Sequence, residues 1–140
     1  MKLITKSLAL GLVLVGGMAF AAATNPAVVE RQALMKSMGG AMKVLGGMAG
    51  GKTAFDPATA ETARATIADA SGQIPAKFEP NETDAESGAK ADIWANWPAF
   101  LAKAEALNAA AKGMDATTVE GVQTGMAGFT CGECHKAYRN

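Results

Sequence analysis

From Val28 onward apolar residues return every three or four positions, and no stretch alternates in the manner of a half-buried strand. Val28, Met35, Met42 and Ala49, with Met38 and Leu45 between them, form one stripe. This predicts a first helix from Asn25 or Pro26 to the glycines between Gly46 and Gly51. The segment FDPATAETARATIADASGQIP opens with Asp56 as N-cap and Pro57 at the first helical position. It turns Ala60, Ala63, Ile67, Ala70 and Ile74 inward and is expected to stop at Pro75. The polar run EPNETDAESGAK carries no apolar period and reads as a loop.

In ADIWANWPAFLAKAEALNAAAKG, the residues Ile93, Trp97, Phe100, Ala104, Leu107 and Ala111 share a face. Pro98 cannot donate to the residue four before it, so a short turn around Trp94 should precede a main helix that starts near Asn96 and closes at Gly113. A fourth helix is expected to open at Asp115, turn Val119, Val122, Met126 and Phe129 inward, and run on through CGECHKAYRN. Four amphipathic helices joined mostly by short loops hide their stripes by packing antiparallel. The predicted fold class is all-α, an up-down four-helix bundle.

The N-terminus follows a different rule. Lys2 and Lys6 precede the apolar run LALGLVLVGGMAF, which gives way to the small residues AAAT. That order of charge, apolar core and small side chains is a secretory leader, cut between Phe20 and Asn25. The run is short of the ~20 apolar residues a spanning helix needs, which disfavours a permanent anchor. The expected organisation is a leader over residues 1–23 and one domain over 24–140, exported across a bacterial inner membrane to the periplasm and without stable membrane insertion. Lys2 and Lys6 leave with the leader, so of 13 basic residues 11 remain against 13 acidic ones. A mildly acidic chain without a basic tract is no partner for nucleic acid. Rich in alanine and glycine and poor in aromatic mass, the domain has a lean core that something else is expected to fill.

Candidate chemistry is concentrated at the far end. Both cysteines, Cys131 and Cys134, and the only histidine, His135, fall within five consecutive residues. On a helix these three and Tyr138 would fan over one side, beside the stripe of Val122, Met126 and Phe129. Two thiols at this spacing can add to the two vinyl groups of a haem while the next imidazole reaches its iron, and Cys-x-x-Cys-His is the haem c attachment signature. A disulfide is the main alternative in an oxidising compartment. A thioredoxin-like pair lacks its βαβ setting, and zinc would need a further ligand. No nucleophile with a poised base and no second histidine is visible, so the chain does not read as an enzyme.

Three further motifs, RQALM from Arg31 to Met35, IW at Ile93 and Trp94, and CGECHKAYR from Cys131 to Arg139, occur together over the whole domain. In this the chain resembles the class II c-type cytochromes, the cytochromes c′ and their low-spin relatives of the cytochrome c-556 type. The resemblance implies a four-helix bundle with one covalent haem c held by Cys131 and Cys134, and His135 as proximal iron ligand. It places Arg31 close to a haem propionate with Gln32 beside it, and the loop around Glu86 near the haem edge. Arg31 also occupies a position of the apolar stripe, where a charge needs a partner. Arg139 matches a basic residue near the proximal histidine. Trp94 and Trp97 are expected to pack in the core, and Lys36, Lys43, Lys103 and Lys136 to stay at the surface.

Two functions follow from the resemblance. With Met35 as sixth ligand, as in the c-556-like relatives, the chain would be a periplasmic monohaem electron-transfer protein whose partners are redox proteins of that compartment. With Met35 only lining the distal face, the iron would be five-coordinate and bind nitric oxide or another small gas. Pairing with a second copy of the chain is compatible with either.

Overall fold

The computed structural model describes residues 22–140, so residues 1–21 of the expected leader lie outside the described residues. Helix α1 spans Pro26–Ala49, α2 Pro57–Phe78, α3 Asp92–Ala95, α4 Trp97–Gly113, α5 Val119–Ala127 and α6 Cys131–Tyr138. Local chemistry sets most of these limits. Asn25 caps α1 by accepting from the N–H groups of Ala27 and Val28 at 2.9 and 3.3 Å, with Pro26 in the first turn. Gly50 closes α1, and Gly51, at φ 66°, reverses the chain into α2. Asp56 caps α2 through the Thr59 N–H at 2.8 Å.

Helices α1, α2 and α4 are laid side by side, α1 along α2 and α2 along α4. The broken pair α5 and α6 makes up the fourth wall of the bundle. Five residues expected to point inward from α2, Ala60, Ala63, Ile67, Ala70 and Ile74, are all buried. Small side chains there let α1 and α4 approach closely, and each fully buried aliphatic, such as Leu45 or Ile67, contributes about 2 kcal/mol. The core divides into two clusters. One gathers Leu45, Ala60, Ile67, Ala111, Met114 and Val122. The other gathers Leu34, Met38, Phe78, Ile93, Phe100 and Tyr138.

Three expectations are corrected. First, α2 does not stop at Pro75 but continues to Phe78. The missing donor of Pro75 removes one bond in the final turn, and other groups hold that turn in place. Phe78 is buried, its carbonyl accepts from Trp94 Nε1 at 2.8 Å, and the Lys77 carbonyl accepts from Arg31 Nε at 2.9 Å.

Second, the last helix is two helices, and it begins after Thr118 instead of at Asp115. The Asp115 carboxylate folds the preceding turn by accepting from the Thr117 N–H at 2.8 Å, and Thr118 Oγ1 caps α5 through the Gly121 N–H at 3.0 Å. At the other end the N–H groups of Gly128 and Phe129 bond three residues back, to Gly125 and Met126, which tightens the chain and ends α5. α6 then starts afresh from the Thr130 carbonyl, which accepts from Cys134 at 3.1 Å.

Third, the buried face of α1 is centred on Val28, Arg31, Leu34, Met38, Ala41, Leu45 and Met48. Met35, Met42 and Ala49 sit half-buried along its margin.

Candidate haem site

Met35, Gly39, Met42 and Gly46 line up along α1 at four- and three-residue steps, which places them on one face. At Gly46 a Cβ atom would sit 3.7 Å from Met126 Cε, so α5 lies against this level of α1. At Gly39 a Cβ would meet nothing within 4 Å. Accordingly α1 packs on α5, and α6 packs on α3 and α4, but no comparable packing joins α6 to α1. The fourth wall is shut at one end and open toward Met35.

The Cys-x-x-Cys-His segment borders that open end. Cys131 and Cys134 are half-buried free thiols on α6, and Cys134 packs against the same cluster as Met35. Burial pushes both thiols above the ordinary cysteine range, and at Cys134 the charge of Lys103 offsets part of the rise. Among the described residues no three His, Cys, Asp or Glu side chains converge as a metal cage. His135 is exposed, whereas Tyr138 is buried. The four side chains therefore do not share one environment as expected: Cys134 and Tyr138, one turn apart, face the core, and His135 lies outside it.

Phe100 anchors this side of the core. Its ring lies 5.3 Å from Phe78, 5.5 Å from Trp97 and 5.3 Å from Tyr138, the last edge to face. Tyr138 thereby fixes the end of α6, and backbone bonds complete the attachment. Lys90 N–H donates to the Tyr138 carbonyl at 2.9 Å, Asn140 N–H to the Gly88 carbonyl at 2.9 Å, and Ala89 pairs with Arg139 in an isolated antiparallel bridge.

Arg31 is buried at 4% exposure. Its Nε donates to the Lys77 carbonyl at 2.9 Å, one terminal nitrogen to the Glu82 carbonyl at 2.7 Å and the other to the Pro80 carbonyl. The guanidinium also lies 5.2 Å from the ring centroids of both Phe78 and Trp94. Beside it the Gln32 amide donates to the backbone carbonyl of Glu86 at 2.9 Å, while the Glu86 side chain is exposed. Arg31 and Gln32 thus meet the connector between α2 and α3, residues 79–91, through its backbone. The sequence pattern showed that Arg31 needs partners but not that they are carbonyls. Trp94 is half-buried and serves as a donor, a role its composition alone did not reveal.

The donor set and the open end of the bundle suit a flat apolar group: two thiols and an imidazole on one helix, a thioether on the facing margin of another, and aromatic packing below. Comparison with known proteins gives the same group. A cytochrome c-556 of Agrobacterium tumefaciens (strain B2A) is 37% identical over 122 residues, covering 80% of this chain and 95% of that protein. A cytochrome c′ of Rhodopseudomonas palustris is 34% identical over 135 residues, covering 92% and 91%. A solved cytochrome c′ structure from R. palustris superposes with a TM-score of 0.75 at 29% identity, over 84% of this chain and 98% of that one. A structure of oxidised R. palustris cytochrome c556 gives 0.69 at 26% identity, over 82% and 96%. Proteins of this kind bind covalent haem c, and Cys131 and Cys134 are spaced for it. The family described as Cytochrome C′ matches residues 26–139, and the chain, a class II c-type cytochrome folded as a helical bundle, belongs to it.

Proposed function

We propose that the protein is a periplasmic electron carrier, in which Cys131 and Cys134 would hold one haem c and His135 and Met35 would be the side chains that ligate its iron. The observation that carries this reading is that Met35, on α1, and Cys134, on α6, border one apolar cluster at the end of the bundle that α6 leaves open to α1. A bound haem supplies a one-electron iron couple there.

The chain's own residues do the rest. Leu34, Met38, Phe100 and Tyr138 exclude water from one side of the site, which lowers the rearrangement that accompanies a change of charge. The imidazole of His135 is free to present a ring nitrogen, and the thioether of Met35 offers a soft, uncharged donor. Arg31 has two of its five N–H groups uncommitted to carbonyls, and a propionate contact would use these. Gln32 and the Glu86 backbone hold the connector beside it. Carriage across the inner membrane fits the N-terminal segment, and among the described residues no helix is long and apolar enough to cross a membrane. The partners are redox proteins of that compartment, met singly or by a paired form of the chain.

The test is spectroscopic. Expressed with haem-maturation machinery, the protein should retain its haem through acid-acetone extraction, be low-spin in both oxidation states and resist carbon monoxide. A high-spin protein that takes up carbon monoxide and nitric oxide freely would replace the carrier by the gas-binding function.

A further inference from the structure

Among the described residues, the first backbone nitrogen tied into the fold is that of Thr24. It donates to Asp84 Oδ2 at 2.9 Å, and the next, Asn25, donates to the same oxygen at 3.0 Å. Asn25 Nδ2 donates to Glu82 Oε2 at 2.9 Å while its carbonyl oxygen caps α1. Two connector carboxylates therefore converge on the start of α1, Asp84 on the backbone of Thr24 and Asn25 and Glu82 on the side chain of the cap itself. Their own segment is arranged to hold them there, since Asp84 Oδ1 accepts from the Glu86 N–H at 2.9 Å and the Asp84 carbonyl from the Ser87 N–H at 3.1 Å. α1 has no acidic side chain in its first turn, so the connector supplies the negative charge that its N-terminal end lacks.

A separate observation concerns the residues just before Thr24. Ala21 and Ala23 are the small side chains that a leader peptidase reads at the third and first positions before its cut. Cutting after Ala21 would also satisfy that rule, through Ala19, and would leave a new amine on Ala22, two residues before the nitrogen that meets Asp84.

We propose that processing occurs between Ala23 and Thr24 and that the Asp84 carboxylate then holds the new α-ammonium group as an ion pair, locking the start of α1 to the connector. This rests on the export reading above. In the cut, water adds across the Ala23–Thr24 amide: its oxygen goes to the Ala23 carboxyl, and the Thr24 nitrogen leaves as an amine that takes a proton from solvent. One neutral donor becomes a charged group with three, so the bond to Asp84 strengthens and a second donor can turn toward Glu82. The charges facing this amine are Asp84 and Glu82 from the connector and Arg31 from α1, whose guanidinium is engaged by carbonyls. The two acids dominate, so the amine's pKa rises above its ordinary ~7.7–8.0. The stabilisation from the pair is complete below that ordinary value and fades as pH climbs through the raised one.

The experiment uses the exported, haem-loaded protein. N-terminal sequencing and intact mass should show Thr24 first. Trace acetylation against pH should show an α-amino group that titrates above the ordinary range, with at least about threefold less reactive amine at pH 7 than in Asp84→Asn. A chain beginning at Ala22 or Asn25, or a wild-type amine that titrates normally, overturns the lock, and the wild-type titration decides even if the variant does not fold. A haem-loaded chain that keeps its leader overturns the lock together with export. A chain that begins at Thr24 with a raised amine but carries no haem sinks the electron-carrier reading and leaves the lock standing.

Discussion

Met35 and Cys134, 99 positions apart in sequence, pack against the same apolar cluster. The shared cluster places a thioether and one of the two thiols of the Cys-x-x-Cys-His motif at one end of the bundle. Replacing Met35 by alanine should turn a low-spin protein high-spin, open it to carbon monoxide and lower its reduction potential. An absorption spectrum with and without the gas checks this, and an unchanged spectrum in the variant would show that the thioether is not a ligand.

Removing both thiols, as Cys131→Ala with Cys134→Ala, should leave all haem extractable by acid acetone, whereas His135→Ala should keep attachment and change only the spectrum. In the haem-free chain, burial holds the thiols protonated. Alkylation by iodoacetamide at pH 8 should therefore be slower than in the urea-unfolded chain. Because their folded pKa values are raised, the haem-free fold should also weaken as pH climbs past the ordinary thiol value of about 8.5. Equal alkylation rates in the folded and unfolded chains would contradict the half-buried placement.

Arg31→Ala should cost about 3 kcal/mol, because it leaves the Lys77 carbonyl of α2, two connector carbonyls and an aromatic slot without their cation. Arg31→Lys should recover little, since an ammonium cannot reach the carbonyls of Lys77, Pro80 and Glu82 with a planar fork. Thermal melts of the two variants check the stability. A change in the pH dependence of the reduction potential, measured on the same proteins, reports a propionate contact.

Gly121→Ala should destabilise by about 2 kcal/mol, because the added Cβ would lie 2.4 Å from the Asp115 carbonyl oxygen, a backbone atom that can move only with its turn. Gly125→Ala meets the Met114 side chain at 2.5 Å and should be milder, as a thioether chain can change rotamer. Denaturant melts of the pair should rank Gly121→Ala as the worse, and the reverse order would mean that Met114 is the more rigid neighbour.

The helices were legible where capping and period agree. Asn25 with Pro26, Asp56 with Pro57, and Gly113 at the close of α4 mark limits that follow from local chemistry alone. Pro75 and the α5–α6 break misled because tertiary bonds outweighed the local signal in one case and a short 3₁₀ turn interrupted a favourable period in the other. Cys131, Cys134 and His135 were legible as a motif because their chemistry depends on spacing. The partners of Arg31 and Asp84 were not. They are backbone carbonyls of the end of α2 and the connector for Arg31, and backbone N–H groups at the start of α1 for Asp84, and such groups leave no mark in composition.

The connector between α2 and α3 holds Thr24 and Asn25 through Asp84 and, a few residues on, holds Asn140 through Gly88. The start of α1 and the residues after α6 are thus moored to one strip of chain, and only a short linker is needed to join them. A circular permutant that links residue 140 to residue 24 and opens the Gly50–Gly51 turn should keep the native order of packing. Opening the connector itself should release both ends at once. The connector, lacking helix of its own over residues 79–90, is where this bundle is effectively tied off.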